Sequence, residues 1–190
     1  MPATALRIAA AARGVLIEEG SAAVTMRRIA AAVAVTPMAI YRHYPDRDAL
    51  LAAVADECFA ELARDWAAHA GDGGVAGLDR LLSAHLDLAL GRPHLYSFLF
   101  TEPRPGARRY PADFRAGGSP TLNVLATALE AGVRRGEIGT DDVWETALLL
   151  ASQLHGLVQL YHGGRIGLSE DEFRSLCRRA VGRIVDGIRN

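Results

Sequence analysis

Residues 24–44 read VTMRRIAAAVAVTPMAIYRHY, and this stretch decides the fold. Thr25 is a good N-cap, and Arg28, Ile29 and Ala32 continue a short helix behind it. A tight turn falls near Val33 to Thr36. Thr36 then caps a second short helix whose first position is Pro37, where a missing N–H costs nothing. The layout predicts a helix-turn-helix. Ile29, Ala30, Val33, Val35 and Ile40 would pack the two helices together, which turns Thr25, Arg27, Arg28, Thr36, Pro37, Met38, Ala39, Tyr41, Arg42 and His43 outward. These side chains suit a nucleic acid: arginine, threonine and tyrosine bind phosphate oxygens, helix N-termini add N–H donors, and small apolar groups touch the thymine methyl. The pattern alone also fits any αα-hairpin with a polar outer face. Tyr44 reads as a buried residue behind the second helix.

Outward from this stretch the chain reads as all-α, with about nine helices, because apolar residues recur at helical spacing and runs of alternating β-branched residues are missing. A first helix over about 4–19 stops at Gly20. Asp46 caps a fourth, over about 47–69, with the glycines Gly71, Gly73, Gly74 and Gly77 expected to close it. That helix has no loop-like break, so it is expected to serve both halves of the protein as a rigid connector. Further helices are expected at about 77–91, 94–100, 119–135, 141–162 and 169–188, with Pro103 to Gly118 as the longest loop. The last is the most clearly written: Ser169 and Glu172 form a capping box ahead of Phe173, Leu176, Cys177, Ala180, Val181, Ile184, Val185 and Ile188. These boundaries predict a helix-turn-helix domain over 1–46 and a second helical domain over 47–190.

The whole chain has 190 residues, half of them hydrophobic, and a formal net charge of -1. Such a composition excludes disorder, since there is ample apolar surface to offset the entropy lost on folding. The near-neutral sum hides an asymmetry. Residues 1–45 hold Arg7, Arg13, Arg27, Arg28 and Arg42 against Glu18 and Glu19, a net of +3, which leaves -4 for the rest. All 21 basic residues are arginine, so Schiff-base, Walker A and general-base lysines are excluded. Cys58 and Cys177, far apart in helix-like runs, predict buried thiols in a reducing compartment. With no signal-type N-terminus and no apolar run of membrane-spanning length, a soluble, cytoplasmic protein is expected.

The run from Thr25 through Leu50, with TMRRIA and VAVTPMAIYRHYPDRDALLAAV, resembles the DNA-binding domain of the TetR family of bacterial transcriptional regulators. The resemblance is specific over about 45 N-terminal residues and much weaker beyond them. It implies that Arg27 and Arg28 contact backbone and a base, that Thr36, Pro37, Met38, Ala39 and Tyr41 line the recognition helix, that His43 sits at its end, and that Arg47 lies beside a phosphate. It further implies double-stranded operator DNA and a small-molecule effector as partners. Two departures stand out. The family usually has glycine in the turn, where φ is positive, and here Ala34 costs about 1 kcal/mol or the turn is built differently. Pro37 and Met38 offer few donors to base edges, which shifts readout toward the arginines, Tyr41 and apolar contacts.

One helix-turn-helix reads only a few base pairs, so a dimer on two half-sites is expected. The helices at about 141–162 and 169–188 are the candidates for a four-helix bundle between two copies, with Gly156 allowing close approach; the alternative is that they complete the monomer core. Trp66, His85, Tyr96, Phe100, Phe114, His155 and Gln159 are the candidate lining of an effector pocket. Ser152, His155, Gln159 and His162 form a polar strip that could instead face water or a second copy, and Phe98 and Leu99 read as core. No metal site, cofactor or catalytic constellation is legible: His155 and His162 are seven apart without a nearby carboxylate, and no nucleophile elbow or phosphate-binding glycine motif stands in a strand–helix context. The reading is a ligand-released repressor, not an enzyme; the alternative is a helical ligand-binding or scaffolding protein with no role on DNA.

Overall fold

The computed structural model describes residues 3–188. Among them are ten α-helices and no strand: α1 Ala3–Glu19, α2 Met26–Ala32, α3 Pro37–Tyr41, α4 Arg47–Ala70, α5 Gly74–Gly91, α6 Pro93–Phe100, α7 Ala112–Arg115, α8 Pro120–Arg134, α9 Val143–His162 and α10 Glu170–Gly187. A 3-10 turn over Ser21–Ala23 joins α1 to α2. The expected all-α architecture is present, with one helix more than the nine read from the sequence. The addition is α7, a single turn inside the stretch read as the longest loop.

The helices divide into two compact units. One runs to Ala60 and takes in Arg92–Ala107; the other comprises Glu61–Gly91 and the residues from Arg108 onward. The break expected after residue 46 therefore coincides with the start of α4, whereas the first unit reaches further along α4 and also recruits α6. In the first unit, α1 buries Ala5, Ile8, Ala9, Ala12 and Leu16, one helical face, against which the helix-turn-helix and α6 pack. Leu95, Tyr96, Phe98 and Leu99 of α6 are buried, as expected of core residues.

In the second unit, α8 packs on α5 and α9, and α10 on α9 and α5. The glycine cluster closes α4 as expected through Gly71 at φ 55° and Gly73, while its later members Gly74 and Gly77 already belong to α5. Two of the four also stand at close approaches. A Cβ on Gly73, whose φ is 72°, would stand 2.9 Å from Ala131 Cβ and 3.0 Å from Ala128 Cα, and one on Gly77 would stand 2.9 Å from the Ala70 carbonyl oxygen. The α10 start is as read, with Ser169 and Glu172 in a reciprocal capping box. Phe173, Cys177, Val181 and Val185 point its apolar stripe inward, and Tyr161 stacks on Phe173 with centroids 4.1 Å apart. Burial pushes the Cys177 thiol up to about 11, so this cysteine is an inert apolar filler. No helix among the described residues is long and apolar enough to cross a membrane.

Candidate functional site

The helix-turn-helix is assembled from local hydrogen bonds and then pinned to its neighbours. The Thr25 hydroxyl accepts from the Arg28 N–H at 3.2 Å, and the Thr36 hydroxyl from the Ala39 N–H at 3.3 Å, so both caps form where the sequence placed them. Between them α2 ends in a Schellman turn: Val35 N–H bonds the Ala30 carbonyl at 3.0 Å and Ala34 N–H the Ala31 carbonyl at 3.2 Å. Such a turn needs a left-handed residue, and Ala34 supplies it at φ 54°, the one positive φ outside glycine among the described residues. The turn therefore keeps the usual geometry and carries the strain of an alanine. The end of α8 shows the unstrained version, with the same two bonds around Gly136 at φ 70°.

Three side chains, from α1, from the segment after α3 and from α4, hold this motif in place. Arg7 of α1 donates to the Val33 carbonyl at 2.8 Å, capping the end of α2. The Tyr44 hydroxyl donates to the Ala5 carbonyl at 3.2 Å, and its burial fits the reading of a core tyrosine. Arg47, expected beside a phosphate, instead donates through Nε to the Val24 carbonyl at 2.8 Å and through Nη2 to the Ser21 carbonyl at 2.5 Å. Its guanidinium is committed to backbone acceptors at the entry to α2, which makes it a brace of the motif. Residues 20–23 are held from a second side, where the Ser21 hydroxyl donates to Glu102 at 2.5 Å.

The side chains read as outward are exposed or half-buried. Thr25, Arg27, Arg28, Thr36, Pro37, Met38, Tyr41 and Arg42 are exposed, with Met38 at 68% and Tyr41 at 47%, while Ala39 and His43 are half-buried. Ile29, Ala30, Val33 and Ile40 are buried between the helices and Val35 is half-buried. A five-residue helix with one buried side chain, Ile40, therefore presents its remaining surface outward. Arg28 is engaged by Glu19, a contact that the sequence reading missed.

The candidate effector residues divide between the units. Trp66 of α4, His85 of α5 and His155 of α9 come together in the second: the Trp66 and His85 rings lie 5.4 Å apart, and those of His85 and His155 5.0 Å apart. Burial, and then the neighbouring His155, hold His85 well below the ordinary imidazole range, and burial takes His155 down to about 4. Both rings are neutral near pH 7, each offering one donor and one acceptor. Tyr96 and Phe100 belong to the first unit, where their rings are 5.2 Å apart and Phe100 meets Phe59 at 5.5 Å. Phe114 is half-buried beside Tyr110 around α7. Gln159 is exposed on α9. A separate cleft of about 410 Å³ lies between the end of α4 and α8, lined by residues outside the candidate set such as Asp72, Asn123 and Arg134.

The outer face of α9 carries Leu149, Gln153, Gly156 and Leu160, all exposed, with Leu149 at 52% and Leu160 at 42%. They follow i, i+4, i+7, i+11 and so share one face. A Cβ on Gly156 would meet nothing within 4 Å, so no neighbour in the chain requires glycine there.

A pinned helix-turn-helix with an outward short helix, joined to a separate helical unit holding buried polar groups, defines a two-domain DNA-binding regulator. Comparison with known proteins agrees. The model of bacterial regulatory proteins of the tetR family matches residues 8–54, and the model of the Tetracyclin repressor-like C-terminal domain matches residues 78–184. The chain belongs to the TetR family, and is a transcriptional regulator with an N-terminal DNA-binding domain. Among solved structures, it is similar to a protein with unknown function from Rhodococcus sp. RHA1, at 22% identity and a TM-score of 0.78 over 100% of this chain and 97% of that one. It is also similar to a TetR-family transcriptional regulator from Pectobacterium atrosepticum, at 21% identity and a TM-score of 0.74 over 98% and 94%. The fatty acid degradation regulator FadR from Bacillus halodurans aligns at 16% identity and a TM-score of 0.69 over 100% and 98%. At these identities the likeness is one of fold. No curated protein matches the chain.

Proposed function

We propose that the protein is a repressor that binds a palindromic operator as a homodimer and releases it when a small molecule occupies the second unit. The observation that carries the reading is the outward face of α3, with Met38 and Tyr41 exposed on a helix fixed by the Thr36 cap and flanked by exposed Arg27 and Arg42. In this reading Arg27 and Arg42 meet phosphates, Tyr41, Met38 and Pro37 touch base edges and thymine methyls, and the caps at Thr25 and Thr36 aim N–H groups at the backbone. His43 closes the contact surface at the end of α3, and Ala39 leaves room for a close approach.

The exposed stripe of α9 is the proposed seam between two copies, since Leu149 and Leu160 leave apolar area uncovered on one helical face and Gly156 between them allows a close approach. The effector is proposed to meet Trp66, His85 and His155, where two neutral imidazoles can exchange hydrogen bonds with an otherwise apolar molecule. α4 contributes to both units and is the natural relay between them. A gel-shift titration with the DNA flanking the protein's own coding region tests the contact assignment. Arg27→Ala and Tyr41→Ala are expected to lose binding while remaining folded dimers, and unchanged affinity in both would refute it.

A further inference from the structure

Glu19 is the last residue of α1, preceded by Glu18, and no basic residue stands in the final turn of that helix. Helix C-termini repel anions, so two carboxylates there are a local cost to α1. The cost is offset from outside the helix. Arg28 reaches across from α2 and donates through Nη1 to Glu19 Oε2 at 2.9 Å and through Nη2 to Oε1, a bidentate pair whose two side chains are 42% and 48% exposed. Glu19 and Arg28 are exposed, as are Thr25 and Arg27 beside them in sequence. The hydrogen bond to Arg28 holds the Glu19 carboxyl below the usual carboxylate range, and that to Glu19 raises the Arg28 guanidinium. Both groups therefore stay charged at neutral pH.

Resting on the DNA-binding reading above, we infer that Glu19 is an electrostatic brake on DNA binding, holding Arg28 as an intramolecular mimic of the phosphate it would otherwise neutralise. Two arrangements are open to the bound state and both weaken it. If Arg28 turns to a phosphate, its bidentate partner is lost and Glu19 is left beside the polyanion. If the pair stays closed, one of the arginines on the outward face adds almost no net charge. The brake also sharpens discrimination, because a weak nonspecific contact cannot displace Glu19 whereas a well-registered phosphate can.

The test uses the full chain and a mixed-sequence duplex of about 40 base pairs, followed by fluorescence anisotropy across a salt series. Glu19→Gln keeps the shape and removes the charge. It is expected to bind the duplex about two- to fivefold more tightly than the wild type and to steepen the slope of log K against log salt by about one per protomer, the signature of one further phosphate contact in each. In an Arg28→Ala background the same substitution is expected to change neither quantity. Wild-type binding with no effect of Glu19→Gln would overturn the brake while leaving the regulator intact. An equal gain in the Arg28→Ala background would also overturn it, since Glu19 would then act as bulk charge. Failure of both wild type and Glu19→Gln to bind any duplex would remove the DNA reading itself. Circular dichroism of Glu19→Gln, with unchanged helix content, keeps a folding defect out of the comparison.

Discussion

The two units leave opposite kinds of surface uncovered. The unit built on α1 to α3 buries Ile8, Leu16, Ile29 and Ile40, leaves Leu6 and Met38 exposed, and turns arginine, threonine and tyrosine outward. The unit built on α8 to α10 exposes Leu149 and Leu160 along α9 and keeps the imidazole of His85 inside. A polyanion asks for exposed cations and hydroxyls on a rigid frame. A second copy asks for exposed apolar area, and a small organic molecule for buried polar groups in an apolar interior. The second unit breaks the ordinary inside–outside rule at the places where its proposed partners would meet it, whereas the polar outer face of the first unit follows that rule.

The largest expected break of this contrast comes from putting charge on the α9 stripe. Leu149→Arg combined with Leu160→Arg should give a folded monomer in sedimentation, and a monomer with one helix-turn-helix should bind the operator about a hundredfold more weakly or worse. Next is acid. His155 stays neutral in the fold down to about pH 4, whereas in the unfolded chain it takes its proton near pH 6.5. The unfolded state thus binds more protons in that window, and stability is lost as pH falls from about 6.5 to about 4, by on the order of 3 kcal/mol for a shift of this size. Denaturant titrations at pH 7 and pH 4.5 should register the loss, and His155→Gln should remove the part due to His155 while that due to the more deeply buried His85 remains.

Smaller effects sharpen the picture of the first unit. Arg47→Ala removes the side-chain donor to the Val24 carbonyl and one of the two donors to the Ser21 carbonyl, and should cost about 1 kcal/mol in a denaturant melt; an unchanged salt slope of DNA binding would mark it as a brace alone, a slope shallower by about one per protomer as a phosphate contact too. Ala34→Gly relaxes the left-handed residue of the Schellman turn and should stabilise the protein by about 1 kcal/mol, bringing the end of α2 to the condition already seen at Gly136.

Much of the helix-turn-helix was legible in advance because its determinants are local. The Thr25 and Thr36 caps, the Pro37 start, the capping box at Ser169 and Glu172 and the stripe from Phe173 to Val185 all act within a few residues of themselves. The departures involve partners far apart in the chain. Arg47 bonds carbonyls 23 and 26 residues earlier, a role that its neighbours in sequence do not signal. Arg28 finds Glu19 nine residues back across a turn, although two acids at a helix C-terminus were a visible signal of an external cation. The aromatic residues read as one pocket fall into two units because α6 joins α1, a long-range choice that the periodicity of α6 does not encode. Gly71 and Gly73 do stop α4, but that Gly73 also admits the close approach of α8 is a long-range role that composition does not show.

The central claim is that the outward face of the first unit meets DNA phosphates, and the salt dependence of wild-type binding to an operator duplex tests it most directly. The account predicts that log K falls linearly with log salt with a slope of about -4 or steeper for a dimer making several phosphate contacts, and that Arg27→Ala makes the slope shallower by about one per protomer. A binding constant that stays flat from about 50 to 200 mM salt, or a slope untouched by Arg27→Ala and Arg42→Ala together, would contradict it.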